Sequence, residues 1–337
     1  MSDPLGKQPM PATGKPTEDF TNRGLLARVD AANEAFANIW IKHEPQEAII
    51  ARLRAYIAKT RGIRGKPIGG CRFSQETQAG KSSTIERLAY ELAQERIARG
   101  QGENPYQVLI VTCEEKMALK TWYQEVLRQM GDAYFDEEAP GKGPKRDERT
   151  MKLLEDKIAK WSKRLKVDLL AVDEVQRLRR EKGDSKSVTE RLQTFLDRGI
   201  VSIVMIGNDK SEDFFSENKD LAGRLGRPLT LKPLNTAVKQ DAKLFQDFCR
   251  SFDDELVKAN IFPARSGLSK PGILDPLQAA TGGHVGRVAR LIEEAMPLAI
   301  MRGAASIEAY DLSVVTRELA IFAGWTSSDP FSTPFSK

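Results

Sequence analysis

The residues best suited to chemistry form a short polar turn in the first third of the chain. An apolar stretch at residues 68–73 precedes this turn, and a helical pattern of apolar residues follows it. In the order strand, turn and helix, the backbone N–H groups of the turn and the helix dipole face a polyphosphate. A lysine in such a turn reaches the β- and γ-phosphates, and the hydroxyl after it ligates Mg²⁺. The turn consists of Gln78, Ala79, Gly80, Lys81, Ser82 and Ser83.

The turn departs from the complete phosphate-loop pattern at its first position. The pattern has glycine five residues before Gly80, where this chain has Gln75. The remaining Gly-Lys-Ser occurs by chance in a chain of this length with a probability of roughly 0.2, and the alternative is an exposed turn with a solvated lysine. Because the flanking elements and the motifs downstream favour the phosphate loop, we expect Lys81 and Ser82 to bind ATP and Mg²⁺.

Two carboxylates follow an apolar strand at residues 169–172. They are Asp173, which lies 92 residues after Lys81, and Glu174. A carboxylate at the carboxyl end of a strand beside a phosphate loop can hold the Mg²⁺ shell, which suits Asp173. Glu174 would then orient or deprotonate the attacking water. The alternative is an ordinary strand followed by an exposed acidic turn.

A polar amide ends the next strand pattern, residues 203–206. Asn208 follows Gly207 there, at a point that would lie near the γ-phosphate. It could hold the attacking water together with Glu174. The alternative is a simple turn residue beside glycine. Because the phosphate turn and the Asp-Glu pair are also present, we expect a catalytic role for Asn208.

Strands and helices alternate around these motifs. Short apolar runs separated by helical spacing are typical of buried parallel strands, and they indicate a parallel sheet covered by helices on both faces. The runs are residues 108–111, 167–172 and 200–206, with a further candidate at 228–231. From about residue 233 onward the patterns are helical, at residues 237–259, 273–280, 284–302 and 307–322.

These patterns divide the chain into two domains between two tails. Residues 1–22 are rich in Pro, Gly, Lys and Thr, which predicts a disordered tail. Residues 23–232 form the α/β nucleotide-binding domain, and residues 233–322 form a smaller all-helical domain. Residues 323–337 carry one Trp and two Phe. This last segment is either strand-like and packed on the body, or a short motif that binds a partner.

Composition favours a cytoplasmic protein with an acidic partner. The 337 residues are 40% apolar and carry a net charge of +5, an excess that favours nucleic acid. Cys71, Cys113 and Cys249 are too widely spaced for a zinc site or a disulfide framework. No run reaches the roughly 18 apolar residues of a membrane span, and the N-terminus lacks the apolar core of a signal peptide.

Taken together, the motifs resemble those of an AAA+ ATPase over residues 35–320. The phosphate turn, the Asp-Glu pair, Asn208 and an arginine before the last strand carry this resemblance. It implies a P-loop parallel sheet sandwiched by helices and followed by an all-helical lid. Within that class, residues 40–43, 221–229 and 281–287 are similar to the TniB/TnsC transposition ATPases. Secretion ATPases of the ExeA type share the Gly-Gly and Arg of the last segment.

The resemblance also implies roles for three arginines. Arg224 would be an arginine finger for the nucleotide of a neighbouring subunit, with Arg227 as a close rival. Arg287 would be the lid arginine that senses the γ-phosphate. Because a finger in trans completes the site at an interface, the resemblance implies a homo-oligomer, either a ring or a helical filament.

Two regions are candidates for contact with duplex DNA. Residues 140–166 contain ten basic and four acidic residues. In TniB/TnsC-like proteins, the region after the strand at 108–111 lines a DNA channel. The alternative is a solvated helix face with ion pairs between residues four apart. No base-reading pattern is present in the sequence, so binding would be through phosphates. The candidates are Lys116, Lys120 and Thr121 after the strand, and Lys142, Lys145 and Arg146 in the basic stretch.

The sequence therefore predicts an ATPase that regulates transposition. ATP would promote assembly on duplex DNA, the assembly would recruit a transposase and a target-selection adaptor, and hydrolysis would disassemble it. Two alternatives stay open. One is a helicase-loader-type AAA+ ATPase similar to the DnaC/IstB group, which DNA dependence of assembly would distinguish. The other is a P-loop scaffold that binds nucleotide without hydrolysis, which a turnover assay would distinguish.

Overall fold

The protein consists of two compact units. One unit is Lys42–Pro233, and the other combines the segment that ends at Ile41 with the segment that begins at Leu234. The computed structural model describes residues 23–132, 151–179, 187–216 and 219–332. The predicted N-terminal tail and the candidates Lys142, Lys145 and Arg146 lie outside these residues. Among the helices described, none is long and apolar enough to cross a membrane.

A parallel sheet forms the centre of the first unit. Its strands are β1 (Cys71–Ser74), β2 (Val108–Thr112), β3 (Leu169–Asp173) and β4 (Ser202–Gly207), in the spatial order β1-β4-β3-β2. All three pairings are parallel. Every residue of β4 is buried, as expected for aliphatic strands covered on both faces. The predicted fold class is confirmed, and the four carboxyl ends meet at one edge of the sheet.

Amphipathic helices cover this sheet. In α4 (Leu119–Gln129), apolar residues at positions i, i+3, i+4, i+7 and i+8 form one buried stripe: Leu119, Trp122, Tyr123, Val126 and Leu127. These side chains pack in the core that also contains residues of β2, β3 and α6 (Val188–Asp197). The helices of this unit are α2 (Glu44–Arg61), α3 (Lys81–Ala98), α4 (Leu119–Gln129), α5 (Met151–Arg164), α6 (Val188–Asp197), α7 (Ser211–Ser216) and α8 (Lys219–Arg224).

The candidate strand at residues 228–231 is wrong, because this segment follows β1 without forming a ladder. The N–H of Leu229 donates to the carbonyl of Arg72 at 2.9 Å, and Gly70 forms an isolated parallel bridge with Leu225. Pro228 has no N–H to donate. The N–H of Leu231, two residues after Leu229, donates to the side-chain oxygen of Gln75 instead of to a strand backbone.

The second unit is helical, as predicted. Its core lies around α11 (Val285–Met301) and contains Phe245, Phe252, Leu291 and Ile292. Trp325 packs against this core from the C-terminal side. The helix α1 (Arg23–Ala37), which the sequence patterns group with the α/β domain, belongs to this unit. The other helices are α9 (Lys239–Lys258), α10 (Pro271–Thr281), α11 (Val285–Met301) and α12 (Ala309–Val315), the last continued by a π-helical turn, Thr316–Ala320.

Candidate nucleotide site

The polar turn joins β1 to α3 in the geometry of an anion-binding loop. β1 ends at Ser74 and α3 begins at Lys81. Between them, Gln78 (φ 60°) and Gly80 (φ 93°) adopt the left-handed backbone conformation. At Gly80 a Cβ atom would also come within 3.1 Å of the Gln46 amide nitrogen. Glycine therefore suits this position both for its backbone and for its lack of a side chain.

The departure from the phosphate-loop pattern has a local explanation. Gln75 is not among the described residues with positive φ, so its backbone conformation does not favour glycine. Its N–H donates to the carbonyl of Gly207 at 3.2 Å, and its side-chain oxygen accepts from the N–H of Leu231. The glutamine thus ties the loop to β4 on one side and to the segment beside β1 on the other.

Lys81 is held within the loop. Its side chain is largely covered, with the residue 8% exposed, and its ammonium donates to the carbonyls of Gln75 and Glu76, each at 2.8 Å. Burial lowers the pKa of Lys81, and the carboxylates of Glu174 and Asp173 oppose that shift. The loop therefore contains a positive charge solvated by backbone carbonyls in place of water.

Two predicted Mg²⁺ ligands from different elements lie in contact. The hydroxyl of Ser82 donates to a carboxylate oxygen of Asp173 at 3.0 Å. The other oxygen of Asp173 accepts from the N–H of Glu174 at 2.9 Å. No cluster of three or more His, Cys, Asp or Glu forms among the residues described. One carboxylate and one hydroxyl suit Mg²⁺, which keeps waters and takes phosphate oxygens, better than a metal enclosed by protein ligands.

Glu174 and Asn208 line one cavity of 730 Å³ at the carboxyl end of the sheet. Glu174 has a left-handed backbone (φ 57°). Its carboxylate accepts from Gln176 Nε2 at 2.7 Å and pairs with Arg177 at 3.2 Å. The side-chain oxygen of Asn208 accepts from the N–H of Lys210 at 3.0 Å. Two of the predicted catalytic residues, Glu174 and Asn208, thus line the same cavity, and each already has hydrogen bonds to its neighbours.

Three residues at this site were missed by the sequence analysis. Gln46 of α2 is buried and donates to Thr84 at 3.0 Å and to the carbonyl of Gly80 at 3.3 Å. Gln176 and Arg177 hold Glu174, as described above. Gln176 and Arg177 lie two and three residues after Glu174 in sequence, and this proximity was the signal available. Gln46 lies 34 residues from Gly80, and no local pattern marks it.

Cys113 lies beside Asp173 at this edge of the sheet. The N–H of Cys113 donates to the carbonyl of Asp173 at 2.8 Å, so the thiol lies close by. Burial, with a contribution from the Asp173 carboxylate, raises the pKa of Cys113 to about 12. The thiol is therefore neutral at physiological pH. All three cysteines of the chain are free, as predicted.

The predicted arginines lie on other elements. Arg224 ends α8 and pairs with Asp197 of α6 at 2.7 Å. Arg227 is exposed, and its carbonyl accepts from Arg52 at 3.0 Å. Arg287 belongs to the second unit, where its guanidinium donates to the carbonyl of Thr281 at 3.4 Å and lies 5.5 Å from the Trp325 ring centroid.

The first group of DNA candidates clusters at the start of α4. Lys116 and Thr121 are exposed and Lys120 is half-buried. Their loop is bound to the segment after Glu174, because the N–H of Arg179 donates to the carbonyl of Met117 at 2.8 Å. These basic side chains therefore lie on a surface connected by backbone hydrogen bonds to the catalytic candidates.

Comparison with known proteins finds a matching family model and solved structures with a similar fold. Residues 76–215 match a family model described as an AAA domain. No curated protein matches the chain. The fold is similar to Cdc6p from Pyrobaculum aerophilum (TM-score 0.57, 13% identity, 85% of this chain and 71% of that one). It is also similar to the Aeropyrum pernix Orc1 protein solved in complex with DNA (0.58, 16%, 85% and 69%).

A third solved structure agrees with these two. The Aeropyrum pernix ORC2 protein, solved as ADPNP–ADP complexes, gives a TM-score of 0.54 at 14% identity, over 85% of this chain and 71% of that one. At these identities the likeness is one of fold. The narrower TniB/TnsC resemblance depends on the sequence motifs. Residues 76–215 thus match the AAA domain model, and the fold of the chain is similar to that of the Cdc6p, Orc1 and ORC2 proteins.

Proposed function

We propose that this protein hydrolyses ATP, assembles on duplex DNA in the ATP-bound state and regulates transposition. The observation that carries the proposal is the hydrogen bond between Ser82 and Asp173, with Lys81 and Glu174 beside it. This set of residues is what phosphoryl transfer needs for positioning and charge stabilisation. The assembled protein would recruit a transposase and a target-selection adaptor, and hydrolysis would release it.

The chain's own residues account for the steps of hydrolysis. Phosphate oxygens would replace the two carbonyls that now solvate the Lys81 ammonium. Ser82 and Asp173 would hold Mg²⁺, which neutralises charge on the phosphates when it is bound. Glu174 would exchange its bonds to Gln176 and Arg177 for a bond to water and accept the proton as that water attacks. Asn208, on the same cavity, would position the water.

The position of Arg224 supports completion of the site in trans. Its carbonyl accepts from the N–H of Gly70 at 3.0 Å, just before β1, whereas the phosphate loop follows β1. A strand of four residues spans about 13 Å. Arg224 therefore lies at the amino end of β1 in its own subunit, suited to the nucleotide of a neighbour in a ring or filament. Arg227 stays the rival finger, and Arg287 is proposed to sense the γ-phosphate.

The DNA interface is proposed at the start of α4. Exposed Lys116 and Thr121, with half-buried Lys120, present charge and a hydroxyl to solvent. The similar Orc1 structure contains DNA, and the similar ORC2 structure contains ADPNP and ADP. Both features support a nucleotide-dependent contact with the DNA backbone. The C-terminal residues 323–337 stay a candidate for the partner contact, and the protein is proposed to work in the cytoplasm.

The test is the anisotropy of labelled duplex DNA against salt, with ATP, with ADP and without nucleotide. Binding should require ATP, tolerate any sequence and weaken with salt by about 0.9 in log–log slope for each phosphate neutralised. Lys116→Asn combined with Lys120→Gln should flatten the slope and leave ATP affinity unchanged. The control is Lys258→Gln on α9, whose side chain is 75% exposed; it should change nothing.

Three outcomes would contradict the proposal. Tight DNA binding without nucleotide, or none with ATP at low salt, would remove the transposition role and favour a helicase loader. ATP binding without turnover would favour a scaffold.

A further inference from the structure

A second polar cavity lies at the opposite edge of the sheet from the nucleotide site. Its volume is 520 Å³, and Gln107 and Asp168, which directly precede β2 and β3, belong to its lining. The five residues of β3 separate this edge from Asp173 by about 17 Å. Residues from the carboxyl-terminal parts of α2 and α3 complete the walls. The cavity is therefore distinct from the one that contains Glu174.

Positive charge predominates in this cavity. Six cationic side chains less two carboxylates leave an excess of four positive charges in its lining. Basic residues near helix C-termini are favoured by the helix dipole, which explains some of them. The dipole does not explain their convergence on one concave space. The cations are Arg54, Arg61, Arg64, Arg96, Arg99 and Lys166, and the carboxylates are Glu95 and Asp168.

The carboxylates neutralise only part of this charge. Asp168 is bonded by Arg61, and Glu95 by Arg54 at 2.5 Å. The guanidinium of Arg96 donates to the backbone carbonyls of residues 101 and 102, at 3.1 and 3.3 Å. These contacts leave its charge without a carboxylate among the hydrogen bonds and ion pairs of the described chain.

Arg99 and Lys166 also contribute to the excess of positive charge in this cavity. The side chain of Arg99 is 63% exposed and has one contact with Glu95, at 3.3 Å. Lys166 is exposed and has no ion pair with any residue that the structure describes. Arg96, Arg99 and Lys166 are therefore the groups available to an anion.

A buried hydrogen-bond acceptor in the cavity lining indicates a second property of the ligand. Gln107 is 6% exposed, and its Nε2 donates to Asp168 at 2.9 Å. This bond fixes the amide orientation, because the carboxylate needs a donor. The remaining oxygen, Oε1, is buried without a hydrogen-bond partner in the described protein. A buried acceptor without a partner is unfavourable, so it favours a ligand that brings an N–H or O–H group.

We propose that this cavity binds a phosphorylated small molecule whose phosphate lies close to a hydroxyl or N–H group, such as a sugar or nucleoside phosphate. Arg96, Arg99 and Lys166 bind the phosphate, for which guanidinium groups are well shaped. Gln107 Oε1 accepts from the neighbouring hydroxyl or N–H. The volume suits a compact ligand, whereas a DNA duplex cannot enter it.

The test uses Lys81→Ala protein without Mg²⁺, so that the nucleotide site does not contribute, and isothermal titration calorimetry. The probes are ribose 5-phosphate, inorganic phosphate and ribose, which present the anion and the hydroxyls together and apart. We expect ribose 5-phosphate to saturate one site per chain, inorganic phosphate to bind more weakly, and ribose not to bind.

Charge removal then tests the residues. Arg96→Ala combined with Arg99→Ala should weaken ribose 5-phosphate binding about tenfold or more. Lys166→Asn should weaken it about threefold and keep the fold, because Asn accepts the left-handed backbone of this exposed residue (φ 55°). The control is Arg128→Ala on α4, an arginine paired with Glu125 outside the cavity, which should leave affinity unchanged.

Several results would overturn the proposal. They are the absence of saturable binding by ribose 5-phosphate, an affinity unchanged in both the double arginine variant and Lys166→Asn, and equal affinities for ribose 5-phosphate and inorganic phosphate. Duplex DNA binding that is lost in Lys166→Asn, without any binding of ribose 5-phosphate, would assign this face to the nucleic-acid backbone instead.

Discussion

The two ends of β3 carry the same acidic side chain in contrasting surroundings. Asp168, before the strand, accepts from Arg61 Nε at 2.7 Å, from a second nitrogen of the same guanidinium and from Gln107 at 2.9 Å. Asp173, at the other end, accepts from the Ser82 hydroxyl and the Glu174 N–H. Within the described chain, the hydrogen bonds to the Asp173 carboxylate thus come from neutral groups.

This difference separates a carboxylate that is paired within the fold from one that is proposed to bind Mg²⁺. A carboxylate bonded to a guanidinium has its charge compensated and contributes to folding. A carboxylate bonded only to neutral donors keeps its charge available for a cation. Sequence position alone does not separate the two residues, because each borders the same buried strand. Their hydrogen-bond partners do.

The largest expected effect is a loss of ATP hydrolysis on removal of Arg224. Arg224 lies at the amino end of β1 and would act on a neighbour's phosphate loop. Arg224→Ala should therefore leave ATP binding near normal and lower DNA-stimulated hydrolysis by about 10³-fold or more, as for fingers in other phosphoryl-transfer enzymes. Mixing this variant with Lys81→Ala should restore activity, because one subunit keeps the finger and the other the loop.

The mixing experiment also distinguishes the rival finger. A larger defect in Arg227→Ala, with no complementation by Arg224→Ala, would transfer the role to Arg227. Hydrolysis that survives both changes would contradict completion in trans.

Smaller effects are expected from replacing each of the two aspartates, Asp168 and Asp173, by asparagine. Asp168→Asn should lower the free energy of unfolding by about 1–3 kcal/mol, because Arg61 loses its carboxylate; this range allows for the partial exposure of Arg61. ATP turnover per folded molecule should be retained. Asp173→Asn should leave stability nearly unchanged and lose Mg²⁺-dependent turnover. Denaturant titration and a phosphate-release assay measure the two quantities, and equal defects in both variants would contradict the comparison.

The local parts of this architecture were predictable from sequence. The phosphate turn, the Asp-Glu pair and Asn208 each follow an apolar strand, and parallel strands bring their carboxyl ends together. The segment at 228–231 was mistaken for a strand because its apolar pattern outweighed the missing donor of Pro228. Its bonds to Arg72 and Gln75 depend on the fold.

The amino edge of the sheet was not predictable in the same way. Arg61 and Asp168 lie 107 residues apart, and no motif marks charged residues that meet only after helices and strands pack. Sequence also could not predict that Gln75 fits where the phosphate-loop pattern has glycine. That fit depends on the φ angle of Gln75 and on its hydrogen bonds to Gly207 and Leu231, which the pattern does not contain. Local spacing thus predicts elements and motifs, whereas long-range ion pairs emerge from the packed structure.

The central claim is that Glu174 activates water at an intact nucleotide site. The most direct measurement is ATP affinity and steady-state turnover of Glu174→Gln, with Lys81→Ala as the variant that should lose ATP binding about 100-fold or more. The account predicts that Glu174→Gln binds ATP normally, stays on DNA and does not hydrolyse. Normal turnover by Glu174→Gln, or unchanged ATP affinity in Lys81→Ala, would contradict it.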